Sequence, residues 1–509
     1  MIGLALAALA ALLHAATAAR YGLFRDELYF IACSKHLAWG YVDQPPLVAV
    51  AAWLSAPVGY HLLALRALPV VAAALTVYVA VALARDVGGG PFAQLLTGIA
   101  TLLVPAYLLL GNVLTTTSFE PLSWTLAVYA TIRIVRAASA SVRARWWLVL
   151  SITIAFGAYG KYSIGLLILG LAIGLLATPQ RQVFQTRWTV FGAGIVVALL
   201  APNIQWQAAH GWPIVEVLRG DAAHRPAFQN GLALEFTDFA GNAAAFALEQ
   251  LLYANLLAAP IWLAGIVAPF RQPALRDLRF VPIAFFVTFT IAVALGAKGY
   301  YIVGIYASLL ALGAVAVEGA ARWLRVALVT ALAVAGIATM PLLIPVLPIE
   351  QFIGYEQRLG LTGRSGTPPH VMQPIYAEEF GWERLARDVA GVYWSLPAPE
   401  RAGTAVYADT YGDAGALDFF GPRFGLPPAI SSQNTYFLWG TLGYSGQTLI
   451  AIGATRIDRL RKYYRSVSLI RTSTEPYKWI VEGPAPIYLC RLPVAPLSEI
   501  WPHLRWYGA

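Results

Sequence analysis

Charge is scarce in this 509-residue chain. Asp, Glu, Lys and Arg together make up 12% of it, about half the share usual in a soluble globular domain. That deficit excludes a water-soluble protein, and with it a disordered or fibrous one. Cysteine is scarcer still. Cys33 and Cys490 are the two in the chain, too few for a zinc or redox framework or a disulfide-stapled secreted scaffold. Internal repeats are also lacking, and Gly88-Gly89-Gly90 is not followed by the Lys-Ser/Thr that a phosphate loop requires. Apolar residues are what the chain has in abundance: 59% is hydrophobic and the mean hydropathy is +0.63. Apolar stretches near the roughly 20 residues of a bilayer span recur, which defines a polytopic α-helical membrane protein.

The few charges are unevenly placed. Residues 1–347 hold 20 basic and 12 acidic side chains, whereas the shorter segment 348–509 holds 15 and 14. This shift at Pro348 divides a transmembrane domain, 1–347, from a water-exposed domain, 348–509. Apolar runs in the first predict eleven spans, near 1–19, 66–84, 93–110, 118–136, 147–160, 162–178, 188–204, 250–269, 280–295, 301–318 and 326–347. The first run has no cleavage-site pattern leading into a polar start, so it reads as a retained span. With the N-terminus inside, arginine marks every inner segment: Arg85; Arg133, Arg136, Arg143 and Arg145; Arg181 and Arg187; Arg271, Arg276 and Arg279; Arg322 and Arg325. That is the positive-inside pattern, and an odd span number then places everything after Pro348 outside. The net charge of +9 is thereby an orientation signal in a membrane, with no nucleic-acid partner implied.

The outer side collects most of the acidic charge; Asp86, Asp277 and Glu318 alone fall inside. Asp26, Glu27 and Asp43 fall in a long first loop, Glu120 opens the fourth span, and Glu216, Asp221, Glu235, Asp238 and Glu249 lie in or beside the loop 205–249. All three lysines of the membrane domain, Lys35, Lys161 and Lys298, fall outside as well, against the inside bias. Carboxylates and lysines at the ends of several spans suit an anionic, membrane-held substrate and acid/base chemistry. Taken singly, each is equally a solvated loop charge.

Motifs sharpen this. The first loop reads Arg25-Asp26-Glu27-Leu28-Tyr29-Phe30 and then Trp39-Gly40-Tyr41-Val42-Asp43-Gln44-Pro45-Pro46-Leu47. Ser118-Phe119-Glu120-Pro121-Leu122, Tyr159-Gly160-Lys161-Tyr162 and Gly296-Ala297-Lys298-Gly299-Tyr300-Tyr301 follow in order. Together these segments resemble the GT-C glycosyltransferases that use polyprenyl-phosphate sugars: the protein O-mannosyltransferases and the lipid A aminoarabinose transferases. The resemblance covers the membrane domain, and it implies a GT-C fold with a C-terminal extracytoplasmic domain in a bacterial cytoplasmic membrane.

In such enzymes an acceptor hydroxyl or phosphate attacks the anomeric carbon and the lipid phosphate leaves. The resemblance implies Asp26 as the base that takes the acceptor proton. Direct attack inverts the anomeric configuration. Glu27 either tunes that base, binds a sugar hydroxyl or faces water. Asp43 matches the acidic position before Pro-Pro and holds the acceptor, the sugar or a divalent metal ion. Aminoarabinose transferases commonly carry Lys at the next position; Gln44 here argues against carrying over a charge contact there and against the aminoarabinose substrate. Lys298 with Tyr300 or Tyr301, and Lys161, are candidates for the lipid phosphate, with snorkelling to ordinary lipid as the alternative. Glu120, costly on an apolar segment, points to a substrate contact or a hydrogen-bonded structural role.

Other features carry less. His36, His61, His210 and His224 with Asp43 could form a metal site, but no ligand spacing supports one. The loop 205–245, with Trp206, Trp212 and Glu216, either caps a cavity or forms an amphipathic helix on the membrane. A disulfide between Cys33 and Cys490 is permitted. The tail has α/β features: helical spacing over Trp382, Leu385, Val389, Val392 and Leu396, short strands at 404–408, 448–452 and 487–490, and a helix at 456–464. Its polar-aromatic stretches, 407–416 and 431–436, either contact acceptor or are loops.

Two functional readings follow. One is a glycosyltransferase taking sugar from a polyprenyl phosphate, with a lipid, glycan or protein acceptor. The other is a transporter or lipid flippase, which predicts repeats and broken, ionisable spans near the midplane.

Overall fold

Each of the eleven apolar segments falls on helix in the computed structural model, which describes residues 1–223, 239–361, 372, 374–453, 457–477 and 484–508. Local breakers decide how much of each run stays continuous. The run 93–110 splits into helices Pro91–Leu102 and Pro105–Leu110 because Val104 precedes a proline and is extended. Asn255, with φ 74°, separates the helix ending at Tyr253 from that starting at Ala259. Among the described residues, four helices are by length and composition able to cross a bilayer alone: Ala67–Asp86, Arg187–Ala209, Gly299–Ala316 and Arg322–Leu342. Two sharply bent pairs, Ile164–Leu176 with Pro179–Gln185 and Gly241–Tyr253 with Leu256–Arg271, raise that to six. Ile2–Thr17, Leu47–Val58, Pro91–Leu102 and Phe280–Ala294 are apolar but shorter, at 10–17 residues.

The chain forms two compact units. The first comprises Met1–Ala18, Arg66–Ala209 and Ala222–Val346. Its helices meet through glycine, as helices in lipid do, where close packing must replace a hydrophobic driving force. Gly170 and Gly174, four apart on Ile164–Leu176, let that helix touch the backbone of Ala284 and Phe280 on the Phe280–Ala294 helix. Gly265 and Gly313 do the same for Ala259–Arg271 and Tyr306–Ala316: a Cβ on Gly313 would lie 1.7 Å from the Ile261 carbonyl oxygen. Trp124 is fully buried beneath Gly304. The three acidic residues read as inner are all engaged. Asp86 takes Arg133 and the Tyr129 hydroxyl, Asp277 takes Arg136 at 2.6 Å, and Glu318 accepts the Gly90 N–H at 2.7 Å. Gly88-Gly89-Gly90 is thus a turn whose helix N-terminus is capped by a carboxylate.

The second unit comprises Ala19–Leu65, His210–Asp221 and Leu347–Ala509, so the first loop folds with the tail. A five-stranded sheet forms its core: β1 (Ala405–Ala408), β2 (Ala429–Ser431), β3 (Thr448–Ile452), β4 (Tyr464–Ser473) and β5 (Ala485–Pro493), in the order β2-β1-β3-β5-β4. The parallel strands β1, β2 and β3 are buried along their whole length, as strands covered on both faces must be. β2 and β4 escape the sequence pattern. The first has three residues; the second is an exposed edge strand with a register shift at Leu469/Arg471, and its polar composition protects the edge. The stretch 407–416, read as contact or loop, ends β1 and opens the helix Tyr411–Phe420, and Asn434–Trp439 is a second short helix. Helix Arg25–Ser34 of the first loop lies on Tyr411–Phe420 because Gly415 has no side chain: a Cβ there would stand 2.8 Å from the Leu28 carbonyl carbon. The permitted disulfide does not form. Cys33 and Cys490 are both free and buried, the first beside the Gln44 amide and the second inside the sheet.

Candidate active site: two charged clusters

In the second unit Asp26 and Glu27 stand in the first turn of helix Arg25–Ser34, where the helix dipole favours negative charge. They diverge in use. Glu27 is fully buried and accepts the Phe24 N–H at 2.9 Å, capping its own helix. Asp26 is partly exposed, with 27% of its side chain accessible. Its Oδ1 accepts from the Tyr411 hydroxyl at 2.9 Å and from Arg25 Nε at 3.3 Å. Among the described residues nothing bonds Oδ2. Arg25 is itself fixed by Glu378 at 3.4 Å and lies over the Tyr411 ring.

Asp43 is half-buried and has both oxygens occupied. Oδ1 accepts from the Tyr29 hydroxyl at 2.8 Å and Oδ2 from the Asn434 amide at 3.0 Å. Tyr29 sits three residues after Asp26, on the same helix face, and its hydroxyl accepts the Thr435 N–H. Asn434 is held with φ 48° by the Gly508 N–H on its own Oδ1. Burial pushes the Asp43 carboxyl up to about 7, and the negative charge of Asp26 pushes the same way. Burial also raises the phenols of Tyr29 and Tyr411 well above their ordinary range, so both remain hydrogen-bond donors at every physiological pH.

In the first unit Glu120 begins helix Glu120–Val135 and is bonded by the Ser163 hydroxyl. Lys161, at the end of helix Ala140–Gly160, approaches Glu120 Oε2 at 3.6 Å, donates to Thr117 Oγ1 at 3.0 Å, and lies 3.9 Å from the Tyr301 ring centroid and 4.8 Å from that of Tyr300. Its charge is therefore matched within the protein, with two aromatic faces adding to the cradle. Lys298 opens the short helix Gly299–Ile305 and exerts a Coulombic repulsion on Lys161. Its side chain has no hydrogen bond or ion pair among the described residues. Gly299 follows because Glu249 leaves no room for a Cβ, and the Gln250 amide bonds its carbonyl at 2.9 Å.

The structure thus groups Asp26 with Asp43, and Glu120 with Lys161, Lys298, Tyr300 and Tyr301. Sequence reasoning did not single out Tyr29, Tyr411 and Asn434 individually. The i, i+3 spacing from Asp26 was a signal for the first, and the polar-aromatic composition of 407–416 and 431–436 for the others. The histidines form no metal site among the described residues: His36 stacks on Trp439, and the Asp43 oxygens are already taken. His224, Glu235 and Asp238 lie outside the described residues. The described part of 205–245 includes helix Pro213–Ala223, whose Glu216 pairs with Arg505 at 3.2 Å.

A family model for dolichyl-phosphate-mannose-protein mannosyltransferase matches residues 43–206, a stretch that contains Asp43, Glu120 and Lys161. No match to a curated protein was found. The fold is similar to crystal structures of ArnT from Cupriavidus metallidurans. The structure bound to undecaprenyl phosphate has a TM-score of 0.62 at 14% identity, and the apo structure 0.59 at 15%; both alignments cover 95% of this chain and 97% of the other. The chain therefore has the GT-C fold implied by its motifs, with a C-terminal sheet domain.

Proposed function

We propose that this protein moves a sugar from a polyprenyl-phosphate carrier, undecaprenyl phosphate in a bacterial cytoplasmic membrane, to a lipid, glycan or protein acceptor on the extracytoplasmic side. The observation that carries this reading is Asp26, whose Oδ1 is anchored by Tyr411 and Arg25 while Oδ2 stays open. An acceptor hydroxyl gives its proton to Oδ2 as its oxygen bonds to the anomeric carbon. The carbon–oxygen bond to the phosphate breaks, and the electron pair leaves on the phosphate oxygen. One displacement of this kind inverts the anomeric centre.

Charge on the departing phosphate grows along the reaction, so a cation aimed at it lowers the barrier selectively. Lys298, whose side chain has no hydrogen-bond or ion-pair partner among the described residues, takes that role. Lys161, neutralised by Glu120, orients Tyr300 and Tyr301 instead. Glu27 caps the helix that carries the base, and Asp43 positions the neighbouring tyrosine. The undecaprenyl phosphate held by an ArnT of the same fold supports the donor class.

The test is transfer from a radiolabelled lipid-linked sugar by the purified protein, with the sugar and acceptor first identified by mass spectrometry of envelope lipids, glycans and exported proteins from cells with and without this chain. D26N is expected to lose about 10²- to 10⁴-fold in transfer rate while keeping undecaprenyl-phosphate binding, and K298A to weaken that binding. Full activity of D26N refutes the base. Movement of the lipid-linked sugar across vesicles without its transfer would establish the transporter reading.

A further inference from the structure

A second charged feature of the membrane unit plays no part in sugar transfer. Helix Arg322–Thr339 borders a cavity of about 350 Å³ lined by Phe92 and Leu95 of helix Pro91–Leu102 and by its own Arg322, Arg325, Val326 and Val329. Neither arginine side chain has a hydrogen bond or ion pair among the described residues. The carboxylate closest to them in sequence, Glu318, is committed to the facing helix, where its oxygens accept the N–H groups of Gly90 at 2.7 Å and Ala93 at 3.3 Å. The Arg325 guanidinium lies 5.2 Å from the Phe92 ring, which holds it over the cavity wall and leaves its N–H edge unused. Trp323 and Val326 beside them are 72% and 57% exposed. An exposed Trp among apolar residues at a helix end is the pattern of a lipid-facing interface anchor.

Two guanidiniums three residues apart, with no carboxylate partner among the described residues, share one helix face and favour an anion. The apolar walls favour an acyl chain. Inorganic phosphate satisfies the first preference and not the second; a zwitterionic lipid satisfies the second and weakens the first. We propose that this cavity binds an anionic phospholipid, its phosphate on Arg322 and Arg325 and a chain along Phe92, Leu95, Val326 and Val329. By the arginine distribution that lipid belongs to the cytoplasmic leaflet, where basic side chains are attracted to negative headgroups.

Native mass spectrometry of the purified full chain tests this, with phosphatidylglycerol and phosphatidylcholine titrated in parallel. The wild type is expected to retain phosphatidylglycerol in preference. R322Q/R325Q is expected to weaken that binding on the order of 30-fold, about fivefold for each charge removed, while R322K/R325K keeps most of it. Millimolar inorganic phosphate is expected not to displace the lipid. Equal uptake of the two lipids by the wild type, unchanged uptake by R322Q/R325Q, or displacement by inorganic phosphate would each overturn the proposal. Headgroup preference of the wild type and the lysine variant decides the matter even if the glutamine variant does not fold.

Discussion

Replacing Asp43 by Asn tests whether the acidic pair of the second unit is arranged as described. Folding carries the Asp43 carboxyl from its ordinary value of 3.8 to about 7, because burial penalises the charged form. The folded state therefore binds this proton more tightly than the unfolded chain does. Its stabilising effect is complete below about pH 4 and is lost as pH rises through about 7. Three pH units at 1.36 kcal/mol each amount to about 4 kcal/mol over the full range. Roughly 3 kcal/mol of that falls between pH 5 and 8. Asn cannot titrate, so D43N lacks this slope. It also sets its amide against the Asn434 amide, whose oxygen already serves the Gly508 N–H, at a pH-independent cost of about 1 kcal/mol. Thermal unfolding of the purified protein at pH 5, 6, 7 and 8 reads both terms. The wild type is expected to lose stability steadily relative to D43N, with the variant ahead at pH 8. Parallel curves for the two proteins across that range would refute the proton-binding Asp43.

Three further outcomes are expected. Y411F removes the hydroxyl that anchors Asp26 Oδ1 and should lower the transfer rate about 10-fold with donor KM unchanged, measured by steady-state transfer at saturating acceptor. G415A drives a Cβ into the Leu28 backbone and should destabilise by about 2 kcal/mol, whereas G165A, which meets nothing within 4 Å, should be neutral or slightly stabilising; comparison of melting temperatures checks both. E120Q leaves the half-buried Lys161 ammonium without its carboxylate and should cost about 2 kcal/mol. E120Q/K161M should recover most of that, and strict additivity in this double-mutant cycle would show the pair uncoupled.

Much of this protein was legible in the linear chain because membranes impose simple rules. Apolar run length gave the helices, and the arginine pattern gave a candidate orientation. Glu120 stands out because charge is costly on so apolar a segment, and Asp26, Asp43, Lys161 and Lys298 because they lie in motifs that resemble those of GT-C transferases. Helix continuity was not legible. Val104 before Pro105 and the positive φ of Asn255 interrupt runs whose composition alone reads as one span.

Roles among the charged residues were decided by tertiary contact. Asp26 and Glu27 are adjacent in sequence, yet one caps a helix and the other keeps an open oxygen, because successive helix positions point about 100° apart. Lys161 and Lys298 are both candidates for the lipid phosphate from sequence, and the structure separates them because Glu120, Thr117 and two tyrosine rings enclose the first. Tyr411 and Asn434 lie nearly 400 residues from the aspartates they hold, and no local pattern encodes a hydrogen bond across that separation. The sequence by itself determined the solvent of this protein and the chemical types available to its site, since both follow from composition and periodicity. Which carboxylate is open, which lysine is neutralised and which proton is tightly bound were decided by the tertiary structure, because burial and partnership depend on neighbours that only folding supplies.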